Sequence, residues 1–174
     1  MLLEATRRVV ASSGMRGATA ADIIDAAGVG RNTFYEHFAT SAAAVTEVVR
    51  GATEELAAAL RDAARAARTP RERLRALSST WLSEMSRHEV LIAVSFGGSS
   101  AERSGVLKVL ETELRAALEL ARNAGTVGLV ADPFRVACLT GAFLGALEHV
   151  TAEASVDVRS ASEVLTDVAL RSFR

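Results

Sequence analysis

The stretch that decides the fold is Thr19-Ala20-Ala21-Asp22-Ile23-Ile24-Asp25-Ala26-Ala27-Gly28-Val29-Gly30-Arg31-Asn32-Thr33-Phe34-Tyr35-Glu36-His37-Phe38. Thr19 and Asp22 form a capping pair, since a hydroxyl just before a helix satisfies a backbone N–H that has no partner within it. Ile23, Ile24 and Ala27 give the two-turn helix that follows one apolar edge. Gly28 permits a tight turn, and Val29 plugs the angle between two helices. Phe34 and Phe38 are four residues apart, so they bury together on one side of the second helix. Two short helices, a glycine turn and a shared apolar seam make a helix-turn-helix. A first helix with Leu2, Leu3, Thr6, Val9 and Val10 on one face closes a three-helix core.

Arg31, Asn32, Thr33, Tyr35 and His37 are left outside the seam. All five donate hydrogen bonds, and all lie in the first two turns of the second helix. That suits a recognition helix, whose N-terminal side chains reach base edges while hydroxyl, imidazole and backbone N–H groups hold phosphates.

Helices continue outward from this segment. Both prolines stand where helices begin: Thr69-Pro70-Arg71-Glu72 offers a cap, a first-turn proline and a capping-box glutamate, and Asp132-Pro133 repeats the device. Ser99 with Glu102, and Asp157 before Val158, mark two further starts. Apolar residues recur at three and four, as in Val136, Leu139, Phe143, Leu147 and Val150, and no long run alternates as a strand does. The pattern predicts an all-α chain of about nine helices, over 1–13, 20–27, 31–38, 42–67, 70–88, 89–95, 101–124, 133–153 and 158–173. Short helices give way to long ones after residue 41, so a DNA-binding head over 1–41 is expected on a helical body over 42–174.

Composition excludes more than it identifies. With 49% hydrophobic and 24% charged residues, the 174-residue chain has an ordinary globular make-up and enough length for a core. One cysteine, Cys138, leaves no intramolecular disulfide and no multi-cysteine metal site. No signal peptide or membrane span is legible, so the cytoplasm is the expected compartment. Net charge is −1, which removes a generally basic surface as the basis of any partner choice. Lys108 is the one lysine among 20 basic residues, an arginine bias that fits GC-rich coding.

Ala27-Gly28-Val29-Gly30-Arg31-Asn32-Thr33-Phe34-Tyr35-Glu36-His37-Phe38 resembles the recognition segment of the tetracycline-repressor (TetR) family of transcriptional regulators. Thr19 and Asp22-Ile23 fit the preceding helix, and the similarity covers about residues 1–50. The resemblance implies that Thr19, Arg31, Asn32, Thr33, Tyr35 and His37 contact double-stranded DNA at a palindromic operator. It implies a bacterial homodimer, a repressor released by a small effector through movement of the helix over 42–67. Three positions depart from the family pattern: Gly30 replaces a capping serine, Ala21 an arginine and Ser41 a lysine. Arg7, Arg8, Arg16 and Arg31 are balanced by Glu4, Asp22, Asp25 and Glu36, leaving the head neutral. The family's basic N-terminal arm is either absent or cut from this chain. Each lost phosphate contact weakens binding and lowers its salt dependence, so modest affinity is expected. The alternative is an effector-binding or protein-interaction module with a weakened DNA-binding head.

In the body, Arg61, Arg65, Arg68, Arg71, Arg73 and Arg75 interleave with acidic residues and read as a salt-bridged, solvated face. Leu139, Phe143, Leu147, Val150, Leu165 and Val168 are the expected dimer interface, on two helices that would form a four-helix bundle with a second copy. The other reading is that they fill the chain's own core. By resemblance, Trp81, Met85, Phe96, Leu110, Phe134 and Cys138 would line a pocket for a largely apolar effector. The apolar neighbours of Cys138 point to burial, which speaks against a redox thiol. His37, His88 and His149 have no ligand-spaced partners, and Gly97-Gly98-Ser99-Ser100 lacks the lysine of a phosphate loop. No catalytic constellation is legible, so no enzyme, cofactor or metal is expected.

Overall fold

The computed structural model describes residues 1–153 and 157–173. Among these the regular structure is entirely helical: α1 Leu2–Gly17, α2 Ala20–Ala27, α3 Arg31–His37, α4 Ser41–Ala66, α5 Pro70–Arg87, α6 Glu89–Gly97, α7 Ser100–Asn123, α8 Pro133–Ala152 and α9 Val158–Ser172. The expected starts are built as the sequence implies. Glu72 accepts from the backbone N–H groups of Arg68 and Thr69 while Thr69 Oγ1 accepts from that of Glu72. Ser99 and Glu102 exchange the same pair of bonds at α7. Asp132 and Asp157 accept backbone N–H groups at α8 and α9. Most ends fall within a residue or two of expectation, and one differs more. Helix α1 does not stop at residue 13 but kinks at Gly14, where φ of 72° breaks the hydrogen-bond ladder, and resumes to Gly17.

The chain forms two compact units, Met1–Glu54 with His88–Val106 and Glu55–Arg87 with Leu107–Arg174. Neither ends at residue 41, the boundary expected from the change in helix length. The reason lies in α6, which packs on α1 and so shares the first unit with α2 and α3. In this unit Leu2, Ala5, Thr6, Val9 and Val10 of α1, Ile23 of α2 and Phe34 of α3 are buried. Leu3 was expected on that face and is instead exposed, because the buried stripe continues from Leu2 to Ala5, Thr6 and Val9 and turns Leu3 outward.

In the second unit α5 packs against both α8 and α9. Leu74, Leu77, Trp81, Leu82 and Met85 of α5 are buried, as are Val136, Leu139, Phe143 and Leu147 of α8 and Leu165, Ala169 and Leu170 of α9. Two ion pairs fix the register of α5 on α9, Arg71 with Asp167 and Arg75 with Glu163, both at 2.8 Å. Arg65 pairs with Asp62 within α4. Part of the basic cluster is thus salt-bridged, while Glu72 is used as a cap.

Candidate nucleic-acid interface

Helix α3 is held from one side and open on the other. Gly28 sits at φ 64°, ψ 34° at the end of α2, a conformation that strains any side chain. Its N–H meets the Asp25 carbonyl at 3.2 Å, and the Val29 N–H meets that of Ile24 at 3.3 Å. This closes α2 and launches the chain into α3 at a fixed angle. Phe34 is fully buried and Phe38 half-buried, with ring centroids 6.0 Å apart. Arg8 reaches from α1 to donate to the Ala26 carbonyl at 2.7 Å, tying the first helix to the turn.

The expected readers are the exposed residues of the same helix. Arg31, Asn32, Tyr35 and His37 are exposed and Thr33 is half-buried, so one short helix presents a guanidinium, an amide, a phenol and an imidazole together. Tyr35 stands edge-on to Phe34, with centroids 5.2 Å apart and planes at 89°. The Arg31 guanidinium lies over the Tyr35 ring, its central carbon 5.6 Å from the centroid. Thr19 is exposed but already engaged: its hydroxyl donates to Asp22 Oδ2 at 2.6 Å and accepts from the Asp22 backbone N–H. Its free lone pair is an acceptor, so donating to a phosphate requires exchanging the bond to Asp22. Gly30 caps α3 with extended backbone and no side-chain hydrogen bond. Beside His37 and Thr33, a surface depression of about 330 Å³ is lined by Met1, Leu2, Leu3 and Phe38, an apolar margin to the polar face that sequence reasoning missed.

Residues 2–46 match the model of the bacterial regulatory proteins of the tetR family. Those residues are similar to the head of that family. The chain is 32% identical over 93 residues to the HTH-type transcriptional repressor KstR2 of Mycobacterium tuberculosis, a match covering 53% of this chain and 46% of the repressor. The chain thus spans about half the length of that relative. Among solved structures, the fatty acid degradation regulator FadR from Bacillus halodurans superposes with a TM-score of 0.83 at 18% identity, over 97% of this chain and 92% of its own. FadR from Bacillus subtilis, in complex with stearoyl-CoA, gives 0.77 at 17% identity, over 99% and 98%. These likenesses show that the shared fold extends beyond the head.

The other expected sites are placed differently. Of the dimer residues, Leu139, Phe143, Leu147 and Leu165 are buried within the single chain, Val150 is half-buried and Val168 exposed. The reading in which these helices fill their own core applies to the first four. The outward faces instead carry Phe134, Cys138, Ala142 and Ala146 of α8 with Val164 and Val168 of α9. An almost wholly apolar groove of about 440 Å³ runs among Ala142, Ala146, Val150, Ala161, Val164 and Val168. Of the pocket residues, Trp81, Met85 and Leu110 are fully buried, whereas Phe96, Phe134 and Cys138 are exposed. Phe134 is 77% accessible. Cys138 was expected to be buried; it lies one turn beyond Phe134 on the outer face of α8, while Val136 and Leu139 take the inner one. Trp81 Nε1 is buried without a hydrogen-bond partner. Among the described residues no cluster of three or more His, Cys, Asp or Glu could hold a metal. No described helix is long and apolar enough to cross a membrane.

Proposed function

We propose that this protein is a homodimeric DNA-binding repressor whose recognition element is α3. The observation that carries the reading is the exposure of Arg31, Asn32, Tyr35 and His37 on one short helix anchored by buried Phe34. Arg31 suits a guanine edge, and the hydroxyl and imidazole groups suit phosphates. Thr19 and Thr33 flank them. A single head reads one half-site, so two-fold symmetry and an inverted repeat follow. The apolar outward faces of α8 and α9 supply the association surface, since a second copy would complete a four-helix bundle there.

The effector is proposed as a largely apolar small molecule bearing one hydrogen-bond acceptor. Trp81, Met85 and Leu110 are the buried residues nearest to that role, and the unpartnered Trp81 Nε1 is the donor an acceptor would satisfy. The fatty-acid regulators of similar fold, one holding stearoyl-CoA, make a long-chain acyl compound the first to try, its chain the apolar part and its carbonyl the acceptor. An effector favouring the DNA-incompetent state weakens operator binding, and DNA weakens effector binding by the same factor. The protein works in the cytoplasm and catalyses no reaction.

Selection of bound duplexes from a random-sequence library at moderate salt tests the core of this reading. An enriched inverted repeat is expected. No enrichment by a folded dimer would leave the protein as an effector-binding module with a weakened head.

A further inference from the structure

We propose that Tyr35 is a positioning residue for Arg31: its ring is a platform that aims the guanidinium at one base edge. The inference rests on the DNA-reading role of α3 proposed above. Three side chains form a chain of support outward from the core. Phe34 is fully buried. Tyr35 stands perpendicular against it, 5.2 Å between centroids, which fixes the tyrosine ring at the surface although that residue is 44% accessible. Arg31, one turn earlier on α3, lies over the Tyr35 ring at 5.6 Å, within the range where a cation is drawn to the ring face. A guanidinium carries all its N–H donors in its own plane, so its face can rest on a ring while its edge points to O6 and N7 of guanine. Contact with the ring therefore does not consume the groups that read. An arginine without such a platform spends rotamer entropy on every productive contact. Gly30 makes the platform more important, because the residue before Arg31 offers no side chain to restrain it.

The experiment compares base preferences of the full-length wild-type protein with Arg31→Ala, Tyr35→Phe, Tyr35→Leu and the Arg31→Ala, Tyr35→Leu double variant on duplex libraries. Arg31→Ala should flatten the preference at one base pair per half-site by about five- to 150-fold. Tyr35→Leu should flatten that same base pair by about two- to fivefold, and add nothing there once Arg31 is gone. Tyr35→Phe keeps the ring, so the preference should survive while affinity falls evenly across sequences. In the free protein, ring-current shifts of the Arg31 side-chain protons should be present in wild type and Tyr35→Phe and absent in Tyr35→Leu. The proposal is overturned if Tyr35→Leu weakens all sequences equally with the preference intact, or if the Arg31 shifts are absent in wild type. A wild-type protein that enriches no sequence overturns the DNA-reading role itself, and this inference with it.

Discussion

Helices α3 and α8 are built on the same plan and were not equally legible. Each buries one stripe of large side chains and turns another outward. On α3 the buried and exposed positions differ in chemistry: Phe34 is buried, while Arg31, Asn32, Tyr35 and His37 are exposed. On α8 they do not: Val136, Leu139, Phe143 and Leu147 are inside, while Phe134, Cys138, Ala142 and Ala146 line the surface. Periodicity finds an amphipathic face only where the opposite face is polar. Where both faces are apolar, periodicity alone does not say which one the chain's own core takes.

The sharpest way to break this comparison is to cut into each stripe of α8 separately. Phe143→Ala should cost about 3–5 kcal/mol of folding stability, because it empties a closed core site; denaturant unfolding measures it. Ala146→Glu on the outer face should keep the helical circular dichroism and convert a dimer to a monomer in sedimentation. If Ala146→Glu unfolds the chain while Phe143→Ala only dissociates it, the two faces have been assigned the wrong way round.

On α3 the corresponding cut is smaller and leaves the fold alone. Tyr35→Ala should cost about 1–3 kcal/mol of specific binding, with thermal unfolding nearly unchanged since Tyr35 is a surface residue. Anisotropy titration of a selected duplex checks it, and undiminished affinity would remove Tyr35 from the interface. Gly30→Ser should act in the opposite direction. Its backbone is extended and a Cβ there meets nothing closer than Thr33 Oγ1 at 3.9 Å, so serine fits without strain. A serine cap should add only a few tenths of a kcal/mol to stability, yet supply a phosphate contact visible as a steeper salt dependence of binding.

The smallest expected effect is on pH dependence. Glu102 is held below its ordinary carboxylate range first by the Ser99 side chain and then by the Ser99 backbone N–H. Backbone N–H groups of Arg135 and Arg159 do the same for Asp132 and Asp157. A depressed carboxyl stabilises the fold above its unfolded pKa, and that contribution disappears as pH falls through the folded value. Melting temperature should therefore hold flat from neutral pH down to about 5 and drop progressively below about 4. Replacing Glu102 by Gln should shrink the acid drop, and an unaltered profile would deny the capping carboxylates this role.

Most of the fold was legible because its punctuation is local. Thr69 with Glu72, Ser99 with Glu102, Asp132 and Asp157 mark starts that need no tertiary information, and Gly28 marks the turn by the one backbone conformation other residues avoid. What depends on how helices pack was not legible. Leu3 turned outward and α6 joined α1 because facing is set by neighbours distant in sequence. Val164 turns outward while Leu165, one position on, takes the buried stripe; a step of about 100° separates the two. The pairing of Arg31 with Tyr35 is implied by their spacing of one turn, yet its support from Phe34 appears only in the folded head.

The central claim is that α3 reads base sequence. It is tested most directly by titrating one selected duplex against a scrambled duplex of the same length, at about 0.15 M salt, and taking the ratio of affinities. The account predicts at least about a 10³-fold preference, since specific readers exceed their own backbone binding by that margin or more. A ratio near one, from protein shown to be folded and dimeric, would contradict it.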